Sequence, residues 1–325
     1  MTHSNLTRRQ AIATTVASTA AALAAGGAAF AESPYPNRLV TLVVPFPPGG
    51  GTDVVGRFVA QHLGDALGQK VIVVNKAGAG GLVGSQYVKG APADGYTVMF
   101  TSQSVVTQTY DSGGKVSHKD FVFLGVLNQD AIGIAVEQKA RWHSIREFID
   151  DAKKNPGAIS VGNAGIGSVT QMQIPLLEKA AGIRLNPIPF GGSAGTHTAA
   201  LAGQTDAASV VVGDAASLLK EGKLRMLAIL SASRLESFPD VPTLRELGID
   251  IDWIFWRGLF VHKDTPAPAV AVLREAVAKV ARSPDFRAQM TQGNFIPAAI
   301  LDEGELAAFL RKEERITEEV IKAGK

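Results

Sequence analysis

The stretch LVTLVVPFPPGGGTD, residues 39–53, decides the fold class of this chain. Its first six residues form a continuous run rich in β-branched residues, which is typical of a strand buried on both faces. A loop of prolines and glycines follows. Asp53 is then predicted to cap a helix that carries apolar residues at helical spacing and ends at Gly68. A buried strand that leads through a glycine loop into a helix is the basic unit of an α/β protein.

Strand and helix signals alternate along the rest of the chain. Ser144 and Glu147 form a capping-box pattern before a helix predicted over residues 145–154. Two further helices are predicted, one up to about Arg282 and one after Asp302. Short strands are predicted at residues 71–74, 96–100, 159–162, 185–189, 207–212, 226–230 and 253–261. These repeated units predict mainly parallel sheets flanked by helices.

Two segments are predicted to cross between two lobes, near residues 128–131 and 252–257. Two strands that pass between the same lobes would act as a hinge. The first lobe would then comprise residues 32–129 plus 256–325, and the second lobe residues 130–255. The expected architecture is a clamp that closes on a ligand.

The first 31 residues have the pattern of an export signal. Arg8 and Arg9 precede an uncharged alanine-rich run that ends in Ala29-Phe30-Ala31, which predicts cleavage after Ala31. The paired arginines fit a twin-arginine leader and an ordinary secretory leader equally well. We therefore expect an exported protein whose mature chain starts at Glu32.

Charge and composition exclude several classes of function. Removing Arg8 and Arg9 from the 32 basic residues leaves 30, which equals the 30 acidic residues. A neutral chain without a basic block lacks the electrostatic footprint of a nucleic-acid-binding protein. The absence of cysteine excludes disulfides and a lipid-modified cysteine anchor. The six histidines show no metal-binding spacing, so we expect no metal and no cofactor.

Four loops rich in glycine, serine and threonine follow predicted strands, and three of them run into helices. A helix N-terminus offers free backbone N–H groups and the positive end of the helix dipole, so such loops bind anions without Lys or Arg. In an α/β sheet they meet at the carboxyl ends of the strands. We expect a shared anion site with these ligand-binding residues: Phe46, Pro48, Gly49, Gly50, Gly51, Thr52, Ser102, Gln103, Ser104, Gly165, Ile166, Gly167, Ser168, Phe190, Gly191, Gly192 and Ser193.

One of these loops also matches the nucleophile elbow of serine hydrolases. Gly191-Gly192-Ser193-Ala194-Gly195 fits G-x-S-x-G between a predicted strand and helix. His262 is the one histidine downstream of His197, and several aspartates lie between Ser193 and His262. No oxyanion loop of the HGGG type precedes the motif. A secreted serine hydrolase that uses Ser193 remains the alternative to a binding protein.

Aromatic residues cluster at the second crossing. Trp253, Phe255 and Trp256 lie close together on a predicted strand, whose alternate positions could face the core and the cleft. At least one of them could therefore line the cleft, while core packing explains them equally well.

Several motifs, in order along the chain, resemble one known family. They are VVPFPPGGGTD at residues 43–53, NKAGAGG at 75–81, APADGYT at 91–97, FPDVPT at 238–243 and GLF at 258–260. The chain resembles the substrate-binding proteins of tripartite tricarboxylate transporters, also called Bug-type receptors. The resemblance implies a two-lobed periplasmic binding-protein fold of the type II-like class. It also implies a monomer in the periplasm, not an enzyme, that delivers its ligand to the membrane permease subunits.

The resemblance further implies how a carboxylate ligand is held. Backbone amides and ordered water would grip one carboxylate at residues 48–52. The loops at residues 165–168 and 191–193 would hold the other.

One departure from the family pattern bears on the ligand. Members commonly carry an acidic residue near the cleft, four positions after the Gly-Gln-x-Asp element, where this chain has Val210 next to Ser209. We expect Ser209 and Val210 to contact the ligand as well. An ammonium group would find no acceptor there. We therefore expect a dicarboxylate with an apolar middle rather than an amino acid. Phe46 and Phe190 favour an aromatic one such as terephthalate, with an aliphatic dicarboxylate as the second choice.

Overall fold

The computed structural model describes residues 35–323, in which strands and helices alternate. The export signal predicted for residues 1–31 lies outside the described residues. The strands are β1 (Val40–Val44), β2 (Val71–Asn75), β3 (Thr97–Ser102), β4 (Phe121–Glu137), β5 (Ser160–Asn163), β6 (Asn186–Pro189), β7 (Ala207–Val211), β8 (Leu224–Ile229), β9 (Ile254–His262) and β10 (Pro297–Ile300).

The helices lie mostly between these strands and carry the loops of interest at their N-termini. They are α1 (Gly51–Leu67), α2 (Leu82–Lys89), α3 (Ser104–Asp111), α4 (Ile145–Lys154), α5 (Val169–Ala181), α6 (Ser193–Leu201), α7 (Val212–Lys220), α8 (Ala267–Arg282), α9 (Pro284–Gln292) and α10 (Glu303–Ala323). No helix in this described range combines the length and the apolar composition that a bilayer span requires.

The unit β1–loop–α1 forms as its sequence predicts, except at the helix start. Gly50, not Asp53, is the N-cap residue of α1. Asp53 lies in the first turn, where its carboxylate accepts the backbone N–H of Gly49 at 2.9 Å. Gly68 ends the helix in the left-handed conformation, as expected. Helix α4 also has its predicted bounds, and Ser144 accepts the N–H of Glu147.

The strands form two mixed sheets that share β4. In the first sheet β2, β1 and β3 are parallel, and β9, β4 and β10 continue it in antiparallel pairing. In the second sheet β6, β5 and β7 are parallel, and β4 pairs antiparallel with both β7 and β8. The expected parallel pairing therefore holds for three strands of each sheet, whereas the strands at the crossing between the sheets pair antiparallel.

The first crossing is one continuous strand, β4. Residues 121–131 of β4 pair with β9, and residues 132–137 pair with β7 or β8. The second crossing is the segment that enters β9 at Ile254. The result is a two-lobed α/β fold in which each sheet has its own core. Trp256 packs in the first core with Phe123 and Phe260, and Trp253 packs in the second.

Helix α10 packs against both cores. Leu306, near its start, is buried in the first core, and Val320, near its end, is buried in the second. The sequence predicts that all of residues 256–325 belong to the first lobe. These lobe boundaries stay a prediction, but helix α10 contacts the cores of both sheets.

Gly133 marks the point at which β4 pairs with strands on both of its edges. A Cβ atom at this position would lie 2.3 Å from the backbone oxygen of Ala228 in β8. We expect Gly133→Ala to force these strands apart and to lower the free energy of unfolding by about 1–3 kcal/mol. Gly90→Ala is the control, because its nearest neighbour would lie at 3.5 Å. Urea unfolding of both variants tests this, and equal midpoints would contradict the close pairing.

Candidate functional site

A cavity of about 260 Å³ lies where the loops after β1, β5, β6 and β7 meet. These loops follow the carboxyl ends of parallel strands, the usual place of a ligand in an α/β sheet. The cavity is lined by Phe46, Pro47, Gly50, Gly51, Thr52, Ser102, Ala164, Ser168, Val169, Thr170, Gly191, Gly192, Ser193, Ala194, Gly195, Val211, Asp214 and Phe255.

The structure brings many of the predicted site residues to this cavity. Those at its wall are Phe46, Gly50, Gly51, Thr52, Ser102, Ser168, Gly191, Gly192 and Ser193. A neighbouring cavity of about 230 Å³ is lined by three more, Gly165, Ile166 and Phe190, together with the loop at residues 78–81. The predicted residues that line neither cavity are Pro48, Gly49, Gln103, Ser104, Gly167, Ser209 and Val210.

Several of these other residues have structural roles. Gln103 is buried, accepts the N–H of Trp256 at 3.0 Å and thereby connects β3 to β9. Ser209 is buried and hydrogen-bonded to Gln173 and to the backbone oxygen of Thr170. Val210 packs in an apolar cluster, because alternation along β7 turns Val211 toward the cavity instead.

Asp214 is the main cavity residue that the sequence analysis missed. It lies in the first turn of α7, directly after β7, and lines the cavity. The acceptor that is missing at Val210 is therefore present at the cavity wall as Asp214. The position of Asp214 just past a strand end was the available signal. Phe255 also lines the cavity, whereas Trp253 and Trp256 are core residues.

Two helices begin at the cavity on the side of the second sheet. Ser168 is the N-cap residue of α5, and Gly192 is that of α6. The first turn of each helix contains no acidic residue, and Val169 and Ser193 line the cavity. The free backbone N–H groups and positive dipole ends of both helices thus lie at the cavity. Because Asp214 accepts the hydroxyl of Ser193 beside the start of α6, the start of α5 is the more favourable of the two for an anion.

The start of α1 also lines the cavity and already has carboxylates next to it. Burial raises the pKa of Asp53, but hydrogen bonds from Arg57, Gly49 and Asn75 outweigh this effect and lower the pKa. Asp214 lies against the same helix end. Its Oδ1 atom is so close to Gly51 that a Cβ atom there would be 1.7 Å away.

Arg257 fixes Asp214 in this place. The guanidinium of Arg257 is fully buried and donates to Asp214 at 2.5 Å and to Asp130 at 3.1 Å. It also donates to Thr52 and Asn128. The second oxygen of Asp214 accepts the hydroxyl of Ser193 at 2.7 Å. The network therefore joins β4, β9 and α1 to α6 and α7 beneath the cavity.

Two buried carboxylates share one guanidinium in this network. Burial raises the pKa of Asp130 to about 6, and the charge of Asp214 acts in the same direction. Arg257 and the backbone N–H of Ile296 oppose the rise without cancelling it.

The residues of the alternative hydrolase do not assemble. Ser193 donates its hydroxyl to Asp214 rather than to a histidine. His262 pairs with Phe121 at the far end of β9. It lies seven residues beyond Phe255, or roughly 24 Å along an extended strand. The predicted order of Ser, Asp and His along the chain is therefore not matched by a triad in space.

Comparison with known proteins supports the interpretation of the cavity as a ligand-binding site. Residues 55–324 match the family described as the tripartite tricarboxylate transporter family receptor. The solved periplasmic binding protein BugD is 30% identical with a TM-score of 0.83, over 89% of this chain and 99% of BugD.

Two solved structures with ligands are similar as well. MatC from Rhodopseudomonas palustris, solved with bound malate, is 28% identical with a TM-score of 0.82, over 88% of this chain and 100% of MatC. A second R. palustris protein, solved with adipate, is 25% identical with a TM-score of 0.83, over 89% of this chain and 98% of that one. The family and these structures are solute-binding proteins rather than enzymes.

The raised pKa of Asp130 predicts a pH effect on stability. From about pH 4 to about pH 6 the folded protein holds a proton on Asp130 that the unfolded chain has lost. Stability from this group is therefore highest at low pH and falls as the pH rises through this window. We expect the free energy of unfolding, wild type minus Asp130→Asn, to decrease from pH 4 to pH 7.

Urea unfolding at a series of pH values measures this difference. Asp151→Asn is the control, because hydrogen bonds from Asn155 and Trp142 lower the pKa of Asp151 and no slope should appear above about pH 5. A difference for Asp130→Asn that stays flat or rises with pH would contradict the assignment.

Proposed function

Because the chain belongs to the tripartite tricarboxylate transporter receptor family, we propose that it captures a small carboxylate in the cavity and delivers it to the membrane permease subunits of such a transporter. The protein acts in the periplasm. Residues 1–31 would direct its export to this compartment and would then be removed. The receptor acts as a monomer and changes no bond of its ligand.

One observation supports carboxylate binding above the others. The N-termini of α5 and α6 both lie at the cavity, and none of its lining residues is Lys, Arg or His. An anion is then held by backbone N–H groups and dipole ends alone. Ser168 and Thr170 add hydroxyl groups at the start of α5. This arrangement suits a compact carboxylate that must be released again.

The remaining wall of the cavity favours an apolar ligand body. Phe46, Val169, Val211 and Phe255 line it. This lining supports the apolar middle of the dicarboxylate expected from the sequence, whether an aromatic ring as in terephthalate or an aliphatic chain. Malate and adipate, found in the two related structures, are dicarboxylates. In this chain, however, the second carboxylate of such a ligand would share the cavity with the carboxylate of Asp214.

Closure around the ligand would supply the signal to the permease. The cavity has walls from loops of both sheets, so a bound ligand contacts both lobes only when they are closed. Such differential contacts shift the equilibrium toward the closed state. The loop after β2 and the loop after β5 touch beside the cavity, where a Cβ atom on Gly80 would lie 2.1 Å from the backbone oxygen of Ile166.

Thermal unfolding against a panel of carboxylates tests the proposed function. A receptor at about 100 times the dissociation constant of its ligand gains roughly 2.7 kcal/mol, which raises the melting temperature by several degrees. We expect one class of acid to produce this rise and to be recovered unchanged after hours. No rise with any acid, or consumption of the acid, would contradict the proposal.

The contact at Gly80 predicts a variant with an effect on binding. Gly80 has a φ of 60° and Gly68 a φ of 64°, but a Cβ atom on Gly68 would meet nothing within 4 Å. We expect Gly80→Ala and Gly68→Ala each to lose about 1 kcal/mol of stability through backbone strain. Only Gly80→Ala should weaken binding of the best acid of the panel, by roughly tenfold, because the closed contact is blocked. Calorimetric titration that finds equal affinities would contradict closure at this contact.

A further inference from the structure

The two ends of the cavity differ in charge. The first turn of α5 contains no acidic side chain. The starts of α1 and α6 both lie beside the carboxylate of Asp214, which is against Gly51 and accepts the hydroxyl of Ser193, and α1 also has Asp53 in its first turn. A ligand carboxylate is therefore attracted to the start of α5, whereas beside α1 and α6 it would meet the carboxylate of Asp214.

Asp214 is held too firmly to move aside for a ligand. One of its oxygens accepts from Arg257 and the other accepts from Ser193. Arg257 is itself fixed by Asp130, Asn128 and Thr52, and its guanidinium is fully buried. Any rotation of Asp214 would leave this buried charge with one fewer partner, which is costly in a site shielded from water.

Asp214 still has capacity for a ligand. An ionised carboxylate offers about four lone-pair sites, of which Arg257 and Ser193 use two. With Asp130 ionised, the network holds two negative charges against one positive charge. At the cavity wall Asp214 therefore presents acceptor sites with a surplus of negative charge, which attract a hydrogen-bond donor and repel an acid.

We infer that Asp214 determines ligand specificity: the site binds an acid whose opposite end carries a hydrogen-bond donor, a hydroxyl or an ammonium group, in preference to a second carboxylate. This inference rests on the proposed function and specifies the ligand class. It replaces the dicarboxylate expected from Val210, because the acceptor thought to be missing is supplied by Asp214.

Two matched ligand series test this specificity. The aliphatic series is adipate, 6-hydroxyhexanoate, 6-aminohexanoate and hexanoate, and the aromatic series is terephthalate, 4-hydroxybenzoate and 4-methylbenzoate. Calorimetric titration of the wild-type protein at pH 7 should give the tightest binding for a donor-ended acid. The matched dicarboxylate should bind roughly tenfold more weakly or worse, since one hydrogen bond to a charged acceptor is at stake.

Asp214→Asn identifies the residue responsible. The amide keeps the shape of the side chain, can donate to a carboxylate, and leaves Arg257 paired with Asp130. We expect the variant to lose most of the preference for donor-ended acids and to bind the dicarboxylate at least as well as the wild type does. Asp240→Asn is the matched control, because Asp240 does not line the cavity, and its ligand order should equal that of the wild type.

Each outcome decides between the proposals. The inference is overturned if the wild-type protein binds adipate or terephthalate more tightly than every donor-ended acid of the same series. This test needs only the wild-type protein, so it decides the matter even if Asp214→Asn fails to fold. An unchanged preference in a folded Asp214→Asn overturns the role of Asp214. If no acid of either series binds, the proposed function itself fails, and the inference fails with it.

Discussion

The buried guanidinium of Arg257 is the group on which the arrangement of the site depends. It lies at the start of β9, where the chain crosses between the sheets, and its partners come from β4, α1 and α7. A charge without exposure to water persists only when its hydrogen bonds are satisfied. Asp130 and Asp214 are therefore required as partners, and the need to keep them close fixes the loop after β1 against the start of α7.

That constraint has a direct effect on the cavity. Because Asp214 lies against Gly51 and accepts the hydroxyl of Ser193, the starts of α1 and α6 already have a carboxylate next to them, and the start of α5 is left for the anion of the ligand. The apolar side chains of Phe46 and Phe255 also line the cavity. Charge, shape and the lobe contact at Gly80 thus agree with a receptor that closes on an acid with an apolar body.

Local features of the fold could be read from the sequence, and long-range ones could not. The unit β1–loop–α1 and the helix after Ser144 follow from periodicity and capping, which act over a few residues. The glycine loops were found because their composition is itself the signal. The pairing of Arg257 with Asp214 was not found, since these residues are 43 positions apart and meet only in the folded chain. Val210 was misassigned because one position along a strand changes the face on which a side chain lies.

A crystal structure with the acid that raises the melting temperature most tests the central claim directly. We expect its carboxylate oxygens to lie within hydrogen-bond distance of the backbone N–H groups at the start of α5, near Val169 and Thr170. The opposite end of the acid should face Asp214, which still contacts Arg257. A carboxylate bound at the start of α1, with Asp214 displaced from Arg257, would contradict the account.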